Sequence, residues 1–320
     1  VVLASSPQLI PEAAAQASDE GVPVLAVVFA PPVFAHESLG LQRFANGTSG
    51  FAYPAREGQE EPWAVRVRDM GIRVLESYES GVLAELSQDQ IATLNGLGAQ
   101  VEVLEDPSRL GRGLVAFDTR EGEPQIAEKM RVAPSDARAA KYYIVQFIGP
   151  LHERWTNTLI RMGVEFLEYI PHYGYLMALP PGMVDVVKKF PFVRFVGPYH
   201  PAYKVDPSLL GKGGEGDLTI ALHKDESLLE VSEFIRGHGG RIHSSSVTRW
   251  GGVVNAQLDF SLVPPVARLP SVSWIEPMGR LEPGNDNVRW IIQSGDPGPP
   301  PLTPIHDRGL AGQSQTVTVC

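Results

Sequence analysis

The chain has 320 residues, with 37 acidic and 27 basic side chains, a formal net charge of -10 and 43% hydrophobic residues. That apolar content supports two or three domains with their own cores and excludes disorder over the whole chain. With no Lys/Arg cluster in an acidic chain, there is no footprint for counterion release, and neither nucleic acid nor an anionic membrane is expected as a partner. One cysteine, Cys320, excludes an internal disulfide framework and a multi-thiolate zinc site.

Val1-Val2-Leu3-Ala4-Ser5-Ser6 reads like the tail of a signal peptide, so residues 1–65 are expected to be an export remnant and an irregular segment. The apolar run Val22 to Ala30 is broken by Pro23 and bounded by Pro31 and Pro32, well short of the roughly 20 residues of a membrane span. Residues 66–108 read as a ββαβ half-module. It has strands over Gly71–Leu75 and Gly81–Leu86, a helix over Ser87–Leu94 capped by Ser87 and stopped by Gly98, and a strand over Val101–Leu104. Residues 109–140 are expected to be a linker.

Residues 141–205 carry the order βαββαβ. Strand Tyr142–Phe147 leads to a helix over His152–Met162, with Trp155, Leu159 and Met162 on one face and Gly163 at its end. Strands Glu165–Tyr169 and Gly174–Leu179 follow, then a short helix over Met183–Phe190 stopped by Pro191, and strand Val193–Val196. After a Gly-rich linker at 206–216, the order recurs in 217–281, about 76 to 79 residues later. The spacing predicts strand Leu218–His223, helix Ser227–Gly237, strands Arg241–Ser245 and Gly252–Leu258, a short helix near Pro264 and strand Val272–Ile275. Phe190-Pro191-Phe192-Val193-Arg194-Phe195-Val196-Gly197-Pro198 parallels Leu269-Pro270-Ser271-Val272-Ser273-Trp274-Ile275-Glu276-Pro277, so the chain repeats a split βαβ unit. A sheet with helices on one face leaves its other face for a partner. A Pro/Gly linker at 282–303 and a segment at 304–320 with the buried-strand pattern Gln315 to Val319 complete the chain.

Chemistry-bearing patterns are sparse. Gly211-Lys212-Gly213-Gly214-Glu215-Gly216 matches GxGxxG but precedes a strand, so no helix N-terminus is available for a phosphate, and a flexible linker is expected. Gly47-Thr48-Ser49-Gly50 loosely resembles a serine-nucleophile signature without a positioned base, and Asn46-Gly47-Thr48 is a glycosylation sequon. His238 and His243 are poorly spaced as metal ligands. Glu60 with Glu61, and Glu121 with Glu123, read as solvated loop charges. Tyr142, Tyr143, Trp155, Phe166, Tyr169 and Tyr175 read as core aromatics.

The run Tyr142-Tyr143-Ile144-Val145-Gln146-Phe147-Ile148-Gly149-Pro150, with Trp155, Gly163-Val164, Tyr169-Ile170-Pro171 and Phe192-Val193-Arg194-Phe195-Val196-Gly197-Pro198-Tyr199-His200-Pro201, resembles the N-terminal region of secreted subtilisin-like serine endopeptidases. Phe117-Asp118-Thr119-Arg120-Glu121-Gly122-Glu123-Pro124 is similar to that group's lead-in, and Gly309 to Val319 to its first catalytic-domain strand, with Ser314 in place of a usual Gly. The resemblance spans roughly residues 70–320. It implies an α+β chain of tandem ferredoxin-like (βαββαβ) propeptide-type modules, preceded by the ββαβ half-module and ending in the first strand of an α/β subtilisin-like catalytic domain.

In that family the propeptide packs its open sheet face on the catalytic domain, threads its tail through the cleft, and acts as folding chaperone and inhibitor. The 217–281 module is then the inhibitory one, with Arg280, Leu281, Glu282 and Pro283 at the start of a cleft-binding tail. The first module is a decayed copy, a substrate-binding arm or a spacer. The catalytic Asp is expected immediately after Cys320, so residues 1–320 hold no triad and are expected to be inactive alone. No cofactor or metal is expected within them, and any Ca2+ sites would belong to the catalytic domain. The implied partners are a subtilisin-like catalytic domain in cis and polypeptide substrates of the full-length protein, with no nucleic acid and no membrane span. The other reading of the same residues is a set of non-catalytic interaction modules in a large exported protein.

Overall fold

The computed structural model describes residues 23–31, 42–43, 49–50, 62–138, 140–279 and 307–309. It is mixed α+β, with three four-stranded antiparallel sheets, smaller two-stranded ladders and few helices.

The first unit consists of β1 (Val24–Phe29), α1 (Pro62–Asp69), β2 (Arg73–Tyr78), β3 (Gly81–Leu86), α2 (Gln88–Gly96) and β4 (Gln100–Val103). Its sheet runs β2-β3-β1-β4, so the chain's third strand lies between the first and second. Ser87 caps α2 as its sequence promised: its hydroxyl accepts from Gln90 N at 3.3 Å, and the Gln90 side chain accepts from Ser87 N at 2.9 Å. The expected half-module is thus a full βαββαβ unit, and the 1–65 segment is not wholly irregular, because it supplies β1. Residues 30–61 separate β1 from its helix, and that long insertion hid the pairing from a reading based on local order.

Next comes a hairpin of β5 (Arg109–Arg112) and β6 (Val115–Asp118), where a linker was expected. The middle unit follows as β7 (Tyr142–Phe147), α3 (Glu153–Arg161), β8 (Glu165–Ile170), β9 (Gly174–Ala178), α4 (Val184–Val187) and β10 (Val193–Pro198), in sheet order β8-β9-β7-β10. The third unit has β11 (Glu215–Leu222), α5 (Leu228–Gly237), β12 (Arg241–Thr248), β13 (Gly251–Asp259), α6 (Val263–Arg268) and β14 (Val272–Pro277), in order β12-β13-β11-β14. Strand β11 therefore begins inside the 206–216 segment read as linker.

What covers each sheet is written in its central strand. In β1, Ala26 and Val28 pack under the helices of their unit, while Val27 joins Leu83 and Leu104 against Ile148 and Tyr173 of the middle unit. In β7, Tyr143, Val145 and Phe147 face the helix-side core, and Tyr142 and Ile144 face Leu110 and Phe117 of the hairpin. β1 is apolar throughout and β7 is buried at every position, because both faces of each strand are covered. Gln146, the one polar residue in β7, is fully buried and satisfied: it donates to Arg109 O at 3.0 Å and His172 O at 2.9 Å, and accepts from Thr119 Oγ1 at 2.6 Å. These bonds fasten the hairpin to the sheet.

β11 reads differently. Leu218, Ile220 and Leu222 are buried with α5 and α6, whereas Thr219 and Ala221 between them are half-exposed. The alternation marks a sheet covered on one face.

The hairpin turn depends on Gly113. Its φ is +58°, and an added Cβ would lie 2.7 Å from Ala202 O and 2.8 Å from Tyr203 C, both backbone atoms. The next residue, Leu114, donates its N–H to Ala202 O at 2.9 Å, so this close approach carries a hydrogen bond. Gly113→Ala is expected to cost ~2 kcal/mol, from the left-handed backbone plus the displaced hydrogen bond. A urea midpoint unchanged from wild type would contradict this.

Candidate functional site: the open face of the third sheet

Three adjacent strands of the third sheet present a row of small polar side chains on the face away from its helices. Thr219 Oγ1 on β11 donates to Asn255 Oδ1 on β13 at 2.8 Å, and Asn255 Nδ2 donates to Ser244 Oγ on β12 at 3.0 Å. The bulge between Ile242 and Ser244 lets His243 reach Asp217 on β11, at 2.8 Å. Ala221 and Val253 lie on the same face, so its centre is flat and short-chained, with Trp274 and Glu276 on β14, Gln257 on β13 and Arg241 on β12 around it. Among the described residues no helix or hairpin covers it as the first and second sheets are covered. The centre of this face offers a packed helix or second layer small, mutually hydrogen-bonded side chains with no charge to desolvate.

The face is bounded by a polar seam at β14. Arg112 of the hairpin makes a bidentate pair with Glu168 on β8 at 2.6 and 2.7 Å and donates from Nε to Tyr199 Oη at 2.7 Å. Its guanidinium also lies 5.1 Å from the Trp274 ring on β14. Tyr199 in turn donates to Ser273 O at 2.9 Å, and burial pushes its hydroxyl up to about 12. Arg112 thereby joins hairpin, middle sheet and third sheet.

A second group of contacts closes the same seam. The His223 ring stacks on Tyr142 with centroids 3.6 Å apart, while Tyr142 Oη and Lys141 Nζ donate to Glu226 Oε1 at 2.6 and 2.7 Å. Lys204 is buried and donates to Leu269 O at 2.9 Å; desolvation lowers its ammonium to about 7. Burial, aided by the nearby charges of Lys204, Lys141 and Arg112, lowers His223 to about 3. His223 Nε2 meets no hydrogen-bond partner among the described residues. Among the described residues no carboxylate, hydroxyl or thiol is hydrogen-bonded to His223 Nε2 as an oriented nucleophile would be. The seam fixes one unit against the next.

The residues singled out from sequence fall in different places. Arg280, Leu281, Glu282 and Pro283 lie outside the described residues, as do Asn46, Gly47, Thr48, Glu60, Glu61, the Gln315–Val319 run and Cys320. The last described contact before the expected tail is Met278 N donating to Asp217 O at 2.9 Å, which holds the chain to β11 as it leaves β14. The Gly211–Gly216 run leads directly into a strand and lines a groove of about 660 Å³ in which Lys212 Nζ lies 5.7 Å from the Phe260 ring centroid. No helix N-terminus follows it. His238 packs on Phe234 at 4.1 Å and His243 pairs with Asp217, so the two are not brought together. No cluster with metal-ligand geometry occurs among the described residues. Glu123 pairs with Arg131 at 3.4 Å in an exposed loop. Tyr142, Tyr143 and Trp155 are core residues, but Tyr169 is exposed. Arg112, His200, Lys204 and His223 carry no sequence signal for burial, since their environments arise from contacts between units.

A family model described as a domain of unknown function (DUF8729) matches residues 109–200. That span begins at the first residue of β5 and ends just past β10, so the hairpin and the middle unit recur together. Comparison with curated proteins gives no match. No helix among the described residues is long and apolar enough to cross a membrane.

Proposed function

We propose that this chain is the N-terminal region of a secreted subtilisin-like serine endopeptidase precursor, and that its third unit serves as intramolecular chaperone and inhibitor of the catalytic domain. The observation that carries this reading is the uncovered face of the third sheet. The first sheet spends its second face on the middle unit and the middle sheet spends its own on the hairpin, leaving Thr219, Ala221, Val253 and Asn255 for a partner. The βαββαβ element order and the antiparallel sheet order of each unit support reading them as ferredoxin-like modules. The chain leaves β14 with Met278 N bonded to Asp217 O, and in this reading Arg280, Leu281, Glu282 and Pro283 begin the extended tail that pairs with a substrate cleft. In this reading the first unit is a third ferredoxin-like copy recruited as a brace, since its open face is used internally.

The test adds the full chain to an active subtilisin-like endopeptidase. Slow, tight inhibition is expected, weakened about a hundredfold by Thr219→Arg, which places a long cation in the centre of the flat face. The melting temperature of the variant establishes that it is folded. Inhibition by the native chain no better than by the denatured chain would contradict the proposal.

A further inference from the structure

We propose that the outer edge of β12 is a docking site for an extended segment of a partner protein that carries carboxylates at both ends of a short apolar and polar stretch. This does not rest on the proposed prosequence function, because it uses the unpaired backbone of β12 and the arginines near its two ends. Among the described residues β12 is the terminal strand of the third sheet and is bonded only to β13. All of its residues except Ile242 are exposed. Edges of this length are normally blocked by proline, lysine or bulges that twist the strand away. Here the one bulge lies between Ile242 and Ser244, and Ser244-Ser245-Ser246-Val247-Thr248 continues in regular register beyond it.

Two large apolar side chains stand at the far end of this edge, Val247 at 73% exposure and Trp250 at 76%. An exposed tryptophan beside an unpaired strand is the kind of anchor that dominates binding energy in an interface. Arg249 lies with its guanidinium 4.6 Å from the Trp250 ring centroid, and Arg241 is exposed at the other end. Neither arginine has a carboxylate partner among the described residues. The strand from Arg241 to Thr248, next to Arg249, spans roughly 23 Å at about 3.3 Å per residue.

This charge arrangement selects the occupant. A second copy pairing antiparallel along β12 would bring Arg241 of each chain toward Arg249 of the other, placing like charges together at both ends. An incoming strand with acidic ends pairs with both arginines, and its backbone completes the edge by β-augmentation. The partner's apolar side chain then covers Val247, with Trp250 closing over it.

The probes are two synthetic peptides of about a dozen residues, with alternating valine and threonine between either glutamate ends or lysine ends. Added to the full chain, the glutamate-ended peptide is expected to slow amide exchange at residues 244–248. It should bind about tenfold more tightly than the lysine-ended peptide. The double variant Arg241→Glu with Arg249→Glu, both at exposed positions, is expected to invert that preference. Three results would overturn the inference: unchanged exchange at 244–248 with either peptide, equal affinity for both, or protection of this edge by self-association without peptide.

Discussion

Acidification from pH 6.5 to 4.5 is expected to remove about 5 kcal/mol of stability, through two buried histidines. Burial, with a smaller contribution from Arg131, lowers His200 to about 4, and His223 is lowered to about 3 by burial and neighbouring cations. His200 Nδ1 accepts a hydrogen bond from Val132 N at 3.0 Å, which requires the neutral ring. The Glu123 carboxylate lies 4.0 Å from His200 Nε2, too far for a hydrogen bond that would favour the proton. The unfolded chain takes up both protons near pH 6.5, whereas the folded chain resists until about pH 4 and 3. Their stabilisation is therefore complete above pH 6.5 and falls as pH drops, by about 1.4 kcal/mol per histidine per pH unit. Urea midpoints across this range measure the slope. His223→Phe, which keeps a ring against Tyr142, should reduce it by about half; a slope unchanged in that variant would count against His223.

Replacing Glu76 by Ala is the second change of large expected effect, at about 3 kcal/mol. Glu76 is a β2 residue only 5% exposed, and its carboxylate accepts from Trp155 Nε1 at 2.6 Å and from Ser77 N at 2.9 Å, with Arg154 as ion partner. Arg154 is largely solvated and can return to water, but the Trp155 indole is buried and its N–H would be orphaned. Tyr78 Oη donating to Pro150 O at 2.7 Å, and Leu83 packed on Gly149, remain to hold the first unit to the middle one. The expected result is an earlier urea transition for the first unit, with the second and third units little affected. Glu76→Gln, which retains an acceptor for Trp155, should cost about 1 kcal/mol. A loss in Glu76→Ala below about 0.5 kcal/mol would show that apolar contact alone fixes the seam.

The elements that sequence made legible are those whose signals are local. Gly81–Leu86 occurs at its expected bounds, Ser87 caps the following helix, and the order of strands and helices in the middle and third units follows from periodicity and from Gly or Pro stops. β1 was missed because its partner strand lies beyond a long insertion. α1 begins at Pro62 with no acidic residue in its first turn, so Trp63 and Ala64 fall in the segment read as irregular and Val67 at the start of a half-module with no helix there, although all three are buried. The hairpin from Arg109 to Asp118 was missed because Gly111 and Gly113 interrupt very short strands. Its role as cover for the middle sheet appears only once Leu110 and Phe117 are seen against Tyr142 and Ile144. The open face of the third sheet was partly legible. The alternation of Leu218, Thr219, Ile220, Ala221 and Leu222 predicts one covered face, while the apolar run of β1 and that of β7, interrupted by Gln146, predict two. The buried Lys204, His200 and His223 depend on which units meet, which no local pattern encodes.

The most direct measurement of the central claim is hydroxyl-radical footprinting of the full chain, free and mixed with a catalytically inactive subtilisin-like catalytic domain. If the open face docks on that domain, His243 and Val253 lose labelling, while Leu229 on the helix side of the same unit and Ile160 on α3 keep theirs. Unchanged labelling of the open face, or loss confined to Leu229 and Ile160, would contradict the central claim.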